Sequence, residues 1–326
     1  MAATDGNKMT ADKIINFDVK ANVHYIERLF SKILVFDISN MNVVIKTTKN
    51  WTSLPVSYFG KSESFRARFK DGKIKTYSNL LEFFNDALIR YMIGTGAVRY
   101  DGKFVAFRYH GKNVKMAGGI ELCAGLILEN FLNEQYKRLD IRSKYVLDIG
   151  ANIGDTALYF ALNGAKKVYA LEPYPYSCGY ARKNVKLNDF GGNIEVLNEG
   201  CGGKKRTVTV PKSFKNLRSS VLKSFKIGVP VKIDTIDGLT ERYGLDGAVL
   251  KVDTEGAEYD IILNASNTAL RRFDQIIIEY HFGYLNLKRK LEKAGFYVKH
   301  SMPMFIQDKQ ISSYGQLRGT IYAKLK

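Results

Sequence analysis

The stretch VLDIGANIGDTALYFALNGAKKVYALEP, which runs from Val146 to Pro173, decides the fold class of this chain. It contains two short apolar runs, Tyr145–Ile149 and Lys167–Leu171, separated by a segment of helical character. Further runs of the same kind follow at Ile194–Leu197, Ala248–Val252 and Gln275–Tyr280. Continuous apolar strands that alternate with helices are typical of a parallel sheet covered on both faces. The sequence therefore predicts an α/β fold with a Rossmann-like, doubly wound sheet.

The first predicted strand ends in a glycine turn. Gly150 permits a sharp bend, and Gly154 allows the backbone to approach a ligand closely. Asn152 occupies the position of the second glycine of a dinucleotide fingerprint, so the turn is not that fingerprint. Asp148 and Asp155 flank the turn, which favours a ligand with cationic groups over a pyrophosphate. A simple strand-to-helix turn with a capping aspartate is the alternative interpretation.

Acidic residues also follow the second and third predicted strands. Glu172 comes 24 residues after Asp148, close to the spacing of roughly 20 residues at which a carboxylate meets ribose hydroxyls. A surface glutamate at the start of a loop is the alternative. Glu199 follows the third strand, where we expect it to meet an adenine amine.

A group of acidic residues and a histidine follows the fourth and fifth predicted strands. Asp253 and Glu255 emerge after Val252, and Glu279 and His281 end the fifth strand. His281 is the candidate general base because an unperturbed histidine titrates near neutrality. Helix capping by Glu255 and a structural role for His281 are the alternatives. Only about three possible ligands converge, so we expect no metal site.

Three strings of this chain resemble the FkbM family of S-adenosylmethionine-dependent methyltransferases. They are the stretch quoted above, LKVDTEGAEYDIIL (Leu250–Leu263) and IIIEYH (Ile276–His281), and the resemblance spans about Lys144 to Lys299. It implies the class I methyltransferase fold, with a seven-stranded sheet whose last strand is antiparallel, and S-adenosylmethionine as the cofactor. It implies cofactor binding by Asp148, Gly150, Asn152, Gly154 and Glu172, and a reaction cleft that contains Asp253, Glu255, Glu279 and His281. Many members of the family methylate hydroxyl groups of sugars or natural products.

Residues 1–140 lie outside this resemblance and are predicted to form a separate α+β module ahead of a methyltransferase domain at 141–326. The patterns in this module predict helices near Asp12–Lys32, Leu80–Met92 and Ile120–Leu139, and strands at Ile33–Ile38, Val43–Thr47, Val98–Tyr100, Phe104–Tyr109 and Val114–Met116. Tight turns at Asp101-Gly102 and His110-Gly111 favour a hairpin arrangement of the last three strands.

The charge of the chain points to an anionic partner. The 326 residues carry a net charge of +18. Nine basic and no acidic side chains lie between Lys204 and Lys232: Lys204, Lys205, Arg206, Lys212, Lys215, Arg218, Lys223, Lys226 and Lys232. A second basic stretch, Lys61–Lys75, is interleaved with Phe65, Phe69 and, just beyond it, Tyr77. Because lysine and arginine contact phosphates and aromatic rings stack on bases, these stretches predict an RNA partner, with tRNA as the substrate.

Two further interpretations of the acceptor stay open. If the basic run is solvated surface, the resemblance favours an O-methyltransferase that acts on a sugar, a glycolipid or a small-molecule hydroxyl. A hydroxyl acceptor needs a base, whereas a ring nitrogen needs only correct placement. A degenerate methyltransferase fold that serves as an RNA-binding scaffold is the third interpretation, and the intact cofactor motifs count against it.

Composition predicts the compartment. Only three cysteines are present, none in a C-x-x-C pair, which is typical of a reducing environment. The polar first ten residues do not resemble a signal peptide, and no apolar run approaches the roughly 20 residues of a membrane span. We therefore expect a cytoplasmic protein without a membrane span.

Overall fold

The computed structural model describes residues 38–53, 64–77, 80–213, 224–306 and 316–326. These residues belong to two compact units, within Ser31–Tyr136 and Lys137–Lys326, and each unit is described by itself. The helix predicted near Asp12–Lys32 lies outside the described residues, as does all but the last residue of the strand predicted at Ile33–Ile38.

The N-terminal unit contains helices, a β-hairpin and a three-stranded antiparallel sheet. Its elements are α1 Ile38–Thr47, β1 Phe65–Arg68, β2 Ile74–Tyr77, α2 Leu80–Gly94, β3 Val98–Tyr100, β4 Phe104–Tyr109, β5 Lys112–Ala117 and α3 Ile120–Ile127. Buried side chains from α1, the β1–β2 hairpin and α2 form one core: Val44, Ala67, Phe69, Tyr77, Phe83 and Ala87. The aromatic side chains of Phe69 and Tyr77 therefore pack in this core.

The prediction of a strand at Val43–Thr47 is wrong, because these residues belong to the helix α1. Val44 is fully buried in the core of the unit, and the Thr47 hydroxyl donates to the Val43 carbonyl oxygen at 2.8 Å, one helical turn earlier. Burial of one helical face thus outweighs the preference of β-branched residues for strands.

The helix predicted over Ile120–Leu139 is shorter than expected. The α-helix α3 ends at Ile127 and is followed by a single π-helical turn, Leu128–Leu132. Glu134 then has a φ of 49°. A left-handed residue cannot continue a right-handed helix, so the chain leaves the helix there.

The C-terminal unit is built on a seven-stranded sheet with the order β14-β16-β13-β12-β6-β7-β8, and β15 pairs with β16. Its strands are β6 Tyr145–Ile149, β7 Lys167–Leu171, β8 Ile194–Leu197, β12 Ala248–Val252, β13 Phe273–Tyr280, β14 Phe296–His300, β15 Met304–Ile306 and β16 Gln316–Leu325. β16 runs antiparallel to both of its neighbours in the sheet, whereas the pairs among β8, β7, β6, β12 and β13 are parallel. The predicted fold, including its antiparallel last strand, is confirmed.

Helices connect the parallel strands of this sheet. They are α4 Asp155–Leu162, α5 Pro175–Leu187, α6 Ile236–Tyr243, α7 Glu258–Asn264, α8 Asn267–Leu270 and α9 Leu285–Lys293. The chain runs from β6 outward to β8 and then returns to β12 on the other side of β6, so the strand order reverses between β6 and β12. Open α/β sheets bind ligands at the carboxyl ends of the strands beside such a reversal. Among the described residues, no helix combines the length and apolar character needed to cross a bilayer.

A small second sheet lies within the predicted basic run. Its strands are β9 Gly200–Cys201, β10 Arg206–Val210 and β11 Val229–Asp234, in the order β10-β11-β9. Valine and isoleucine side chains on one face of the β10–β11 pair are buried: Val208, Val210, Val231 and Ile233. Of the basic residues of this run, Arg206 lies on β10 and Lys232 on β11, whereas Lys215, Arg218 and Lys223 lie outside the described residues. The sequence analysis did not predict this strand pair or its apolar inner face.

Candidate cofactor and catalytic site

The glycine turn after β6 has a shape that side chains would prevent. The N–H groups of Gly150 and Ala151 both donate to the Leu171 carbonyl oxygen at 3.0 Å, which joins the turn to the end of β7. Gly150 has a φ of +84°, and a Cβ there would lie 1.8 Å from the carbonyl oxygen of Asp253. Gly154 has a φ of +83° and begins α4. Glycine is therefore required where the turn meets the chain that follows β12.

Asp148 does not present its carboxylate to the surface. It is fully buried, and its Oδ1 lies 3.0 Å from Nζ of Lys251 while its Oδ2 accepts a hydrogen bond from the Thr156 hydroxyl at 2.5 Å. The Lys251 ammonium also donates to the Gly150 carbonyl oxygen at 2.7 Å. The sequence analysis expected Asp148 to face a ligand with cationic groups. The geometry corrects this expectation, because Lys251 already neutralises the charge of Asp148.

Lys251 is charged although it is buried. Burial acts to lower the pKa of its ammonium, but the neighbouring carboxylates of Asp148 and Asp253 outweigh burial, and the net pKa lies above its ordinary value. The charged ammonium of Lys251 thus connects β12, in the middle of the sheet, to the glycine turn after β6.

Glu172 joins the turns after β6 and β7. Its Oε2 accepts the backbone N–H of Asn152 and its Oε1 that of Tyr174, both at 2.9 Å. Burial raises the pKa of its carboxyl to about 8, although the two N–H donors oppose that rise. Each oxygen of this carboxylate can accept a further hydrogen bond, and two vicinal ribose hydroxyls supply donors of the required kind.

Asp155 and Glu199 occupy different surroundings. Asp155 is the first residue of α4 and is 2% exposed, a position where a carboxylate is stabilised by the helix dipole. Glu199 lies between β8 and β9, and its Oε2 accepts a hydrogen bond from Arg242 at 2.7 Å. Arg242 also pairs with Asp234. The carboxylate predicted to meet adenine is therefore engaged in an ion-pair network.

The four residues predicted for the cleft converge on one point. Nε2 of His281 lies 3.2 Å from Oε2 of Glu255, 3.9 Å from Oδ1 of Asp253 and 3.9 Å from Oε1 of Glu279. Glu255 has a left-handed φ of 51°, and Gly256 follows at 108°. This turn after β12 brings Glu255 to the end of β13.

Two further residues of this cluster were not predicted. Glu258 is fully buried, and its Oε1 accepts both Nδ1–H of His281 at 2.9 Å and the His281 backbone N–H at 3.0 Å. Arg318, on β16, donates to Glu255 at 2.7 Å and lies 4.0 Å from Glu279. Glu258 lies within the string LKVDTEGAEYDIIL, which carries the family resemblance, so the sequence contained a signal for this residue. Arg318 had none, because it reaches the cluster only through the pairing of β16 with β13.

The electrostatics of the cluster change the expected role of His281. Burial acts to lower the pKa of the imidazole, but the carboxylates of Glu258 and Glu255 outweigh it and raise the pKa well above 6.5. A protonated imidazole cannot accept a proton, so the raised pKa counts against His281 as the general base, and that role stays a prediction. Burial also raises the pKa of the Asp253 carboxyl above its ordinary value.

The sheet order, the glycine turn and the carboxylate at the tip of the neighbouring strand together define the class of this unit as a class I S-adenosylmethionine-dependent methyltransferase domain. Residues 148–298 match the methyltransferase FkbM domain. This match confirms the resemblance that the three strings indicated, over these residues of the C-terminal unit.

Individual proteins also match parts of the chain. A ribosomal protein L11 methyltransferase of Carboxydothermus hydrogenoformans is 33% identical over 93 residues, which cover 28% of this chain and 30% of that protein. The crystal structure of the M. jannaschii tRNA m1G37 methyltransferase is 12% identical, with 70% and 58% of the two chains covered and a TM-score of 0.35. That of M. jannaschii TYW2 with AdoMet is 17% identical, with 69% and 88% covered and a TM-score of 0.35. The chain spans less than a third of the length of the curated relatives it matches, so its substrate must be inferred from its own surface.

Proposed function

We propose that this protein is an S-adenosylmethionine-dependent methyltransferase of the cytoplasm that acts on RNA, with tRNA as its substrate. The observation that carries the RNA assignment is the set of exposed lysines on and beside the β10–β11 strand pair. The family domain supports the methyl-transfer chemistry, and the surface supports the acceptor.

The turn after β6 and the carboxylate of Glu172 fit the adenosyl part of the cofactor. Bound S-adenosylmethionine supplies a methyl group on a sulfonium. Glu172 would accept the ribose hydroxyls, and the turn from Gly150 to Gly154 would admit the ligand close to the backbone. Asp155 at the start of α4 remains a candidate contact for the cationic end, and Glu199 for the adenine. Asp148 would act indirectly, since its pairing with Lys251 fixes the turn.

The cleft residues would orient the acceptor. Methyl transfer is an in-line displacement, so placement of the acceptor within reach of the methyl group provides much of the rate. Asp253 and Glu279 lie at the ends of β12 and β13, beside the strand reversal. We assign to Asp253 the removal of a hydroxyl proton, and to Glu255 and His281 the positioning of Asp253 and Glu279.

The β10–β11 pair presents lysines to solvent. Lys204, Lys212, Lys226 and Lys232 are exposed, and none of them forms an ion pair with a carboxylate in the part of the chain that the structure describes. Lys205 and Arg206 differ, since they lie 3.4 Å from Asp234 and 3.6 Å from Asp260. Lysines without a protein carboxylate nearby are available to phosphates, and self-repulsion among them favours an anionic partner.

Two exposed apolar side chains lie beside Lys226, in the segment just before β11. Phe225 is 37% exposed and Ile227 is 88% exposed, on either side of Lys226. Aromatic rings next to lysines are typical of surfaces on which unpaired bases stack. This combination supports a single-stranded or loop region of RNA as the partner of this surface.

The second basic stretch supports phosphate contacts only. Arg66, Arg68, Lys70 and Lys73 are exposed, and Lys61 lies outside the described residues. Phe69 and Tyr77 are each only 1% exposed. The prediction that these aromatics stack on bases is therefore wrong, because they fill the core of the N-terminal unit.

Salt dependence tests the RNA proposal. We expect the affinity for bulk tRNA to fall steeply with salt, and the slope of log K against log salt to become shallower by about 1.4–1.8 when Lys226 and Lys232 are both changed to alanine, since each lost phosphate contact removes about 0.7–0.9. Filter binding at several salt concentrations measures this. Lys299→Ala, another exposed lysine on a strand, is the matched control and should leave the slope unchanged. A flat salt dependence of the wild-type protein would exclude RNA.

A second candidate function is favoured by the family domain itself. An FkbM-like O-methyltransferase would act on a sugar, a glycolipid or a small-molecule hydroxyl, and the carboxylate at Asp253 suits the deprotonation of such a group. Incubation with labelled S-adenosylmethionine and deproteinised cell fractions separates the two. Label in RNA supports the first proposal, and label only in the lipid and glycan fraction supports the second.

A further inference from the structure

The cluster at the ends of β12 and β13 contains a histidine nitrogen that the protein itself leaves unsatisfied. His281 is 0% exposed, and its Nε2 has no hydrogen-bond partner among the described residues. Glu255 lies 3.2 Å away, but not in the geometry of a hydrogen bond. A buried ring nitrogen that lies among carboxylates without a hydrogen bond has a cost that a ligand would remove.

Asp253, Glu279 and His281 have the spacing of a metal site. One ligand atom from each, two carboxylate oxygens and Nε2, lie within 4.8 Å of one another. One imidazole and two carboxylates are a donor set that suits divalent ions such as Mn²⁺. The three come from the ends of two adjacent strands, which fixes their backbones.

Glu258 orients His281 in the manner that a metal ligand requires. Histidines that bind metals almost always donate their other ring N–H to a carboxylate or carbonyl, which fixes the tautomer and the ring. Nδ1 of His281 lies 2.9 Å from Oε1 of Glu258, and neither side chain is exposed. Glu258 is in turn held by the N–H of Gly256 at 2.8 Å and the hydroxyl of Thr254 at 3.1 Å.

The charge balance of the cluster also favours a cation. Four carboxylates surround His281: Asp253, Glu255, Glu258 and Glu279. Arg318 contacts two of them, and Lys251 is already paired with Asp148. Negative charge therefore exceeds positive charge in a largely buried space, and a divalent ion would offset the excess.

We propose that Asp253, Glu279 and His281 bind a divalent metal ion at the acceptor end of the cleft, with Glu258 as the positioning residue of His281. This replaces the expectation that the cluster holds no metal. The nitrogen proton of His281 would leave as the ion binds.

A metal ion at this point selects the acceptor, and this step rests on the proposed methyltransferase function. A coordinated hydroxyl loses its proton more readily than a free one. The hydroxyl proton would pass to the second carboxylate oxygen of Asp253, the oxygen would take the methyl group from the sulfonium, and the electron pair of the broken S–C bond would stay on sulfur. The site thus favours an acceptor oxygen, such as a ribose or sugar hydroxyl, over a ring nitrogen.

Titration with MnCl₂ tests the metal site directly. The full-length protein is freed of metals with a chelator, and free Mn²⁺ is followed by its electron paramagnetic resonance signal. We expect one Mn²⁺ per chain, and affinity more than tenfold weaker in Asp253→Asn and in Glu279→Gln, since even partners of metal ligands contribute about 10–100-fold. Asp246→Asn, a carboxylate whose side chain is 76% exposed, is the matched control and should bind Mn²⁺ as the wild type does.

Three results would overturn the metal site. They are no Mn²⁺ bound by the wild type, wild-type affinity for Mn²⁺ in both cluster variants, or a loss of affinity in the control Asp246→Asn as large as in the cluster variants. Both cluster variants keep the shape of the native side chain, and circular dichroism of the metal-free proteins verifies that they fold. S-adenosylmethionine binding by the metal-free wild type, measured by calorimetry, separates the two proposals. If the cofactor binds and Mn²⁺ does not, only the metal site fails. If Mn²⁺ binds and the cofactor does not, the methyltransferase proposal fails.

Discussion

Changing Lys251 to methionine should lower the free energy of unfolding by about 3–5 kcal/mol, the usual cost of breaking a buried ion pair from one side. The Lys251 side chain is 2% exposed and that of Asp148 is 0% exposed, so no water replaces the lost ammonium. Methionine keeps the aliphatic volume, and the loss therefore reports the charge and not a cavity. Unfolding in urea, followed by circular dichroism, measures the change.

Lys144→Met is the matched control for this experiment. Lys144 pairs with Asp274, but the two side chains are 24% and 44% exposed. Pairs that water reaches contribute less than about 1 kcal/mol. A loss in Lys251→Met no larger than in this control would contradict the assignment of Lys251 and Asp148 as the ion pair that supports the glycine turn.

Changing Gly150 to alanine should weaken the binding of S-adenosylmethionine by about 100-fold, or ~2.8 kcal/mol. Left-handed backbone costs an alanine about 1–2 kcal/mol. The new Cβ would also lie 1.8 Å from the Asp253 carbonyl oxygen. Because backbone atoms must move to relieve that overlap, the turn loses the shape that admits the ligand. Isothermal titration calorimetry with S-adenosylmethionine measures the loss.

Gly244→Ala separates backbone strain from this overlap. Gly244 has a φ of +57°, and a Cβ there would meet nothing within 4 Å. It also follows α6 and lies in a different part of the sequence from the proposed cofactor residues. We expect a modest loss of stability and unchanged cofactor affinity. Similar cofactor affinities in the two variants would show that the close approach at Gly150 does not matter for binding.

The central strands were predictable because they are largely buried. β6, β7 and β12 have the predicted bounds, and β13 begins at Phe273 instead of Gln275. The edge strand β8 also has its predicted bounds. A strand covered on both sides must be apolar throughout, so its sequence marks its length. The carboxyl ends of such strands meet at one edge, which is why residues as distant as Asp253 and His281 were predicted to converge.

Pairing between side chains was not predictable, because pattern does not reveal partners. Asp148 and Lys251 lie on adjacent strands, β6 and β12, at paired register positions. Nothing in the local sequence of Asp148 indicates that a lysine more than 100 residues later neutralises it. The strand pair inside the basic run was missed for a different reason. The lysines of the run were interpreted as a charged surface, and the alternating valines were not interpreted as the buried face of a strand.

The α1 helix was missed because local preference opposed tertiary packing. Val43, Val44 and Ile45 have β-branched side chains, which favour strands in isolation. Val44 packs in the core of the N-terminal unit while Ile45 is 36% exposed. One buried and one exposed face require a helix that packs against another part of the unit. The sequence alone does not identify the surface against which this helix packs.

Calorimetric titration of S-adenosylmethionine into the wild type and Glu172→Gln tests the central claim, that the cofactor's ribose binds the carboxylate at the tip of β7. At pH 9, above the pKa of about 8 of its carboxyl, Glu172 is charged. A hydrogen bond to a charged group contributes about 1.5–3 kcal/mol, so we expect one site in the wild type at this pH and affinity at least tenfold weaker in the variant. Glu195→Gln, on β8 with its side chain 45% exposed, should bind as the wild type does. Equal affinities of wild type and Glu172→Gln would contradict the account.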